Sequence, residues 1–261
     1  MKFAYSTFKR GFTLIELLTV ISVIGILAAI IIPTVSKVRA NAKRTQGKAQ
    51  MSQVILALTL FKQEYGYFPV IPFNKLNGNL AYDATSVGNK DRQMLMLELL
   101  TGKDADPSTA AFESDERNLA SGTTPRAQNK KRIPFMDYPV NAVKVFKQDE
   151  KVFIDAFGNL EIVVLVDRNG DGIVTDDEPS DINGDGTINP GENISEFPEV
   201  SASSGNKIES TGIKSTKLSL ISSSTNTYGV RAPVVIYTAG EGSKTIPETN
   251  SINPEDGLYS W

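Results

Sequence analysis

Gly11–Pro33 reads GFTLIELLTVISVIGILAAIIIP, and this stretch decides how the rest of the chain is read. From Phe12 to Ile32 the run is apolar, and Glu16 is its single charged member. A helix rises about 1.5 Å per residue, so the run covers roughly 30 Å, the thickness of a bilayer's hydrocarbon core. The preceding residues, MKFAYSTFKRG, carry Lys2, Lys9 and Arg10 and no acid. A basic flank of this kind is expected on the cytoplasmic side, which puts the remainder across the membrane. A secretory signal peptide would have a shorter apolar core, about 7–15 residues, followed by a small-residue cleavage site. Here the run is longer, an acid sits near its start, and the triplet Ala40-Asn41-Ala42 follows a basic, helix-like stretch. A plain anchor explains length and orientation but leaves an unpaired carboxylate in lipid, which is costly.

The segment resembles the N-terminal signature of the type IV pilin and pseudopilin superfamily. That resemblance implies a leader, residues 1–11, cut by a prepilin peptidase between Gly11 and Phe12, and N-methylation of the new Phe12 amine. It also implies that Glu16 is the membrane glutamate of the family and Pro33 its helix-kinking proline. The physical logic agrees, because Glu16 is the only acid placed to neutralise the new amine. In a filament of identical helices Glu16 of one subunit can pair with the Phe12 amine of its neighbour, and such a pair fixes register more than it adds stability. The competing reading pairs Glu16 with its own N-terminus one turn away.

The other exclusions come from composition. The chain has 261 residues, 27 Lys+Arg against 30 Asp+Glu, a net charge of −3, no Cys and no His. Disulfides, thiolate nucleophiles, Ser-His-Asp triads and Cys- or His-ligated metals are therefore ruled out. Any metal must sit on oxygen ligands, which means a hard cation. Nothing localises a carboxylate active site, so the chain is read as a non-enzyme.

Beyond Pro33 the helix is expected to continue to Tyr65, with 12–32 spanning the membrane and the later half laying its apolar side on a globular domain, 66–261. Gly66 and Pro69 supply the stop, and YGYFP at 65–69 resembles the helix-end motif of pseudopilins. Lys37, Arg39, Lys43, Arg44 and Lys48 form a basic stretch with no acid between Pro33 and Gln63. Without interleaved aromatics it is read as a solvated face, or as a contact for an acidic neighbour or lipid headgroups, and nucleic acid is not expected as a partner. A second helix is predicted over Arg92–Thr101, a polar exposed loop over Asp104–Arg132, and strands at Val143–Phe146, Lys151–Ile154, Glu161–Val166, Lys217–Ile221 and Pro233–Tyr237. Asp155-Ala156-Phe157-Gly158-Asn159 fits a hairpin turn. That turn, and the ending around Asp256–Trp261, resemble the major pseudopilin, protein G, of type II secretion.

Two acidic segments stand out. DRNGDGIVTDDE at 167–178 and DINGDGTINPGE at 181–192 both fit D-x-[DN]-x-[DN]-G-x5-E, the calcium-loop pattern. In the first, Asp167, Asn169, Asp171, the Ile173 carbonyl, Thr175 and Glu178 would supply oxygens. In the second the set is Asp181, Asn183, Asp185, the Thr187 carbonyl, Asn189 and Glu192. Gly172 and Gly186 would make the turn, and Val174 and Ile188 would pin the loops inward. Asp167 to Glu199 holds ten acids against Arg168 alone, a density that repels itself unless neutralised. Only Pro179-Ser180 separates the loops, so no EF-hand helix fits between them, and an affinity of about 10⁻⁴–10⁻³ M is expected. A further site near Glu241 and Asp256 is left open.

The expectation is thus α+β: a long N-terminal helix packed on a small antiparallel β-sheet, pilin-like, with a Ca2+-binding insert at 167–192. The resemblance implies a subunit of a periplasmic pseudopilus, anchored once in a bacterial inner membrane, with its own copies, minor pseudopilins, the peptidase and an inner-membrane assembly platform as partners. A type IV pilus or competence pilin, or a membrane-anchored calcium-dependent adhesin, is the alternative.

Overall fold

The computed structural model of the chain describes residues 12–70, 95–103, 124–137, 143–145, 151–178, 190, 197, 199–201, 206–209, 213, 218–222, 227–242, 254 and 257–261. The chain divides into two compact units, Met1–Ala42 and Lys43–Trp261.

Helix α1 spans Leu14–Tyr65. It contains an 18-residue window of mean hydropathy 2.8, and none of that window is buried. This makes α1 long and apolar enough to cross a membrane. The hydroxyls in and just beyond the run are satisfied locally. Thr19 Oγ1 donates to the Glu16 carbonyl at 3.0 Å, Ser22 Oγ to Leu18 at 2.8 Å and Thr34 Oγ1 to Ile31 at 2.7 Å. In lipid such bonds spare each hydroxyl an unpaired donor. The helix ends where expected: Gly66 has φ 84° and its amide donates to the Lys62 carbonyl at 2.8 Å. A positive φ costs glycine nothing, which is why the C-cap falls there.

In the second unit the stem residues Met51, Val54, Ala57, Leu58 and Phe61 are buried. Among the described residues, the head contains helix α2, residues 95–101, a short helix α3, Pro125–Gln128, and ten short strands. The strands are β1 Val143–Val145, β2 Lys151–Phe153, β3 Ile162–Val166, β4 Val174–Thr175, β5 Val200–Ser201, β6 Lys207–Ile208, β7 Ser219–Ser222, β8 Thr227–Val230, β9 Val234–Thr238 and β10 Leu258–Tyr259. They form antiparallel sheets, with β10-β9-β3 and β4-β8-β7 as the two three-stranded ones and β1-β2 and β5-β6 as pairs.

The central sheet is covered on both faces. Alternate residues of β3 and β9 point opposite ways. Ile162, Val164, Val166, Val234 and Ile236 join the stem and α2 in one apolar cluster. Val163, Leu165, Val235 and Tyr237 join Val174, Phe197, Ile208, Ile213, Val230 and Tyr259 in another. Burial on both sides explains why IVVLV and VVIYT are continuously apolar rather than alternating. The expected helix-on-antiparallel-sheet arrangement is present, and the strands around the acidic segment add a layer on the far face. Where the stem meets β10 the approach is close: a Cβ at Gly47 would overlap the Leu258 side chain.

One expectation changes. The sequence predicts an exposed loop over Asp104–Arg132, yet within it Pro125–Gln128 is helical and Gln128 and Asn129 are buried. The Asn129 amide donates to the Leu99 and Ile133 carbonyls, both at 2.9 Å, while its Oδ1 accepts from Tyr65 Oη at 2.8 Å and the Ile133 amide at 2.9 Å. Gln128 clamps Val70 with two bonds of 2.8 Å. Side-chain amides that satisfy backbone groups let a polar segment be buried, and composition alone does not reveal this. Residues 104–123 of that loop lie outside the described residues.

Candidate functional site

At the head of α1, Thr13 and Glu16 close on each other. Glu16 Oε2 accepts from the Thr13 amide at 2.9 Å and from Thr13 Oγ1 at 2.7 Å. In return the Glu16 amide donates to Thr13 Oγ1 at 3.3 Å. This is a capping box, and Thr13-Leu14-Ile15-Glu16 spells it in sequence, a signal that the assembly reading of Glu16 passed over. Phe12 is exposed beside it, Gly11 lies outside the described residues, and Pro33 falls inside α1. The large side chains from Phe12 to Ile32 are exposed, which in water would be an aggregation liability and in lipid is a span.

The first acidic loop leaves β3 and returns through β4. Asp167 and Glu178 are buried at its two ends, while Asn169 and Asp171 are exposed. Asp167 Oδ1 accepts from the Gly170 amide at 2.7 Å and Oδ2 from Gly172 at 2.9 Å. The Asn169 and Asp171 side chains accept from the Asp171 and Ile173 amides at 2.9 and 2.8 Å. Glu178 Oε1 accepts from the Arg168 amide at 2.7 Å, and Oε2 from the Thr175 amide and hydroxyl at 3.3 and 3.4 Å. Gly170 and Gly172 have φ near 80°, which lets the backbone wind this tightly. Val174, fully buried, anchors the loop in the far-face core as expected.

Burial pushes the Glu178 carboxyl above its usual range, with the Asp167 charge adding to the effect and the amide bonds opposing it. Among the described residues no group of three or more acidic side chains is already gathered into a metal cluster. Asp167, Asn169, Asp171, Thr175 and Glu178 lie along one winding, in which each Glu178 oxygen already accepts two hydrogen bonds, Oε1 from the Arg168 and Asn169 amides and Oε2 from the Thr175 amide and hydroxyl. Asp181, Asn183, Asp185, Thr187, Asn189 and Glu192 lie outside the described residues. The first loop is tied to the rest of the head at two further points. Arg168 Nη2 donates to the Pro69 carbonyl at 3.0 Å, and Asp176 Oδ1 accepts from the Tyr228 amide at 3.0 Å.

The turn at 155–159 is not the expected hairpin: it links β2, which pairs with β1, to β3, which pairs with β9, and its side chains tie it to the end of β9 instead. Asp155 is buried; its Oδ1 accepts from the Phe157 and Asn159 amides, and its Oδ2 accepts from Thr238 Oγ1 at 2.7 Å and Asn159 Nδ2 at 2.8 Å. Asn159 Nδ2 also donates to the Gly240 carbonyl at 2.6 Å. This latch holds the end of β9, next to which Glu241 pairs with Arg44 of the stem at 3.3 Å. Asp256, the other residue of the open C-terminal question, lies outside the described residues.

Residues 7–32 match the prokaryotic N-terminal methylation motif. The N-terminal part of the chain is thus of the type found at the head of type IV pilins and type II secretion pseudopilins. It is 46% identical over 56 residues to the type IV major pilin PilA of Myxococcus xanthus, an overlap of 22% of this chain and 26% of that protein. It is 37% identical over 61 residues to the type II secretion system core protein G of Pseudomonas aeruginosa, covering 23% of this chain and 43% of that one. The chain therefore spans less than half the length of either relative. No solved structure matches it.

Proposed function

We propose that the chain is a structural, non-enzymatic subunit of a filament built from an inner membrane. A prepilin peptidase cuts between Gly11 and Phe12, the Phe12 amine is methylated, and residues 12–32 hold the subunit in the bilayer before assembly. The observation that carries this reading is the methylation motif leading directly into an apolar, exposed helix that continues as the core strut of a head. Glu16 then offers its carboxylate to the Phe12 amine of a neighbour. Mass spectrometry of the membrane-derived protein tests the reading: an N-terminal methyl-Phe12 supports it, and a chain still starting at Met1 ends it.

Within this class we favour a periplasmic pseudopilus of type II secretion, on the likeness to protein G and the turn at 155–159. The similarity to PilA supports a type IV pilus as the second reading. Loss of enzyme secretion, rather than of twitching or transformation, on deletion of the gene separates them. We further propose that 167–178 and 181–192 bind Ca2+ and rigidify the head. Calorimetry that detected no calcium binding, with no change in melting temperature on chelation, would end that part.

A further inference from the structure

We propose that the end of the stem and the segment Arg126–Arg132 together form a binding surface for single-stranded nucleic acid, with Tyr67 as the stacking platform and the cations beside it as phosphate contacts.

Among the described residues from Gly66 onward, Tyr67 is the one large hydrophobic side chain left exposed, at 44%. Its ring is braced from beneath. Phe61, fully buried, meets it edge-on at 5.9 Å, and Tyr65 lies 6.4 Å away. Phe135 packs in turn on Phe61 and Tyr65, at 5.4 and 6.2 Å. A ring held in this way loses little freedom when a flat partner stacks on it.

The cations come from far along the chain. Arg126, Lys130, Lys131 and Arg132 are all exposed. Their segment is fastened on both sides of Tyr67. Tyr65 Oη donates to Asn129 Oδ1 at 2.8 Å and accepts from the Lys131 amide at 3.3 Å, while Gln128 clamps Val70. On the stem, cations lack interleaved aromatics, and sequence gives no reason to expect nucleic acid; here the fold supplies the interleaving, from residues 64 apart. The two segments, 62–70 and 126–132, carry five cations and one acid on a chain whose net charge is −3. The acid, Glu64, is bonded to Lys131. Among the described residues Arg126 and Lys130 have no ion-pair or hydrogen-bond partner.

The chemistry on offer is donors, positive charge and a π-face. A phosphodiester chain needs donors and cations, and every base brings a flat face to an aromatic ring. An acidic sugar chain has hydroxyls that need acceptors as well, and the one carboxylate here is taken by Lys131. A duplex keeps its base faces stacked inside, so an aromatic platform favours the single strand.

The inference does not rest on the filament reading, and the unassembled chain tests it. Full-length protein in detergent is titrated into a fluorescein-labelled oligothymidine of about 20 nucleotides. Saturable anisotropy that weakens as salt rises is expected, with duplex of equal length bound more weakly. Tyr67→Ala should weaken single-strand binding roughly tenfold while Tyr67→Phe keeps it, a contrast that charge alone would not produce. Arg126→Gln with Lys130→Gln should flatten the slope of log Kd against log salt by about 1.4. Lys37→Gln with Arg39→Gln, on the stem, should leave the affinity unchanged. All these side chains are exposed, so the variants should melt with the wild type. No binding at low salt, a Tyr67→Ala variant that binds as tightly as the wild type, or loss of binding with the stem pair overturns the proposal. Stronger displacement by polygalacturonate or by phosphatidylglycerol vesicles than by unlabelled oligothymidine at equal charge also overturns it, because the surface then belongs to a sugar acid or to lipid.

Discussion

Thr13 and Glu16 hold the first turn of α1 by reciprocal hydrogen bonds, the carboxylate reaching back to the Thr13 amide and hydroxyl while the hydroxyl takes the Glu16 amide. Glu16 therefore has a local task as well as the intermolecular one proposed, and the two can be separated. Gln serves in a capping box almost as well as Glu. Glu16→Gln should keep the helix start and leaves leader cleavage intact, yet abolish filaments because it carries no charge for the neighbouring amine. Thr13→Val should fray the turn and still assemble. Filament counts by electron microscopy, with mass spectrometry of the N-terminus, check both; normal filaments from Glu16→Gln would reduce Glu16 to a cap.

Burial raises the Glu178 pKa, so the folded, calcium-free head binds that proton more tightly than the unfolded chain does. Its stabilising contribution is complete at pH values below the ordinary glutamate range and is lost as pH rises through the folded pKa. Asp155, raised by burial in the same direction, adds to this trend. The calcium-free head should therefore lose these contributions as pH climbs above the ordinary carboxylate range, and, on the calcium reading proposed, calcium should recover the part due to Glu178 while releasing protons. Thermal melts with and without chelator across this range test it. Glu178→Gln should flatten the calcium-free profile and remove most of the calcium response.

Asp155 accepts four hydrogen bonds from the turn and from Thr238. Asp155→Ala leaves these donors buried and unmatched, and each such orphan costs about 1–3 kcal/mol. The melting temperature should drop by several degrees, with protease cleavage appearing near Gly240. Thr238→Val, which removes one donor only, should cost distinctly less.

A Cβ at Gly229 would lie 2.6 Å from the Val174 carbonyl, a backbone atom that cannot swing aside. Gly229→Ala should push β4 off β8 and loosen the first acidic loop from its anchor. Overpacking of this kind costs about 1–3 kcal/mol. Weaker calcium binding measured by calorimetry, alongside an unchanged N-terminal processing pattern, is the expected result.

The long helix was legible because its signals are local and strong: an uninterrupted apolar run, then Gly66 at the cap. Strands β3 and β9 were legible for the same reason. The pairs β4–β8 and β5–β6 were not, because two-residue strands have no period to read, and β8 lies in a Ser-, Thr- and Gly-rich stretch that resembles loop. The buried Asn129, Gln128 and Asp155 were missed because their burial depends on partners distant in sequence, up to 83 residues away for Asp155 and Thr238. In the first acidic loop the turn at Gly172 was legible, and its φ of 84° bears that out. What sequence did not supply was its attachment, through Arg168 to Pro69 and Asp176 to Tyr228.

The close fit of Leu258 over Gly47 joins points more than two hundred residues apart. Such a contact forms late during synthesis and folding, since the loop it closes takes in nearly the whole head. Until the ribosome has delivered residue 258, the stem at Gly47 lacks the side chain that covers it. A nascent subunit is thus most vulnerable to proteases and to premature self-association in the interval before that strand arrives, and a nonsense change upstream of it would leave an anchored but unclosed protein.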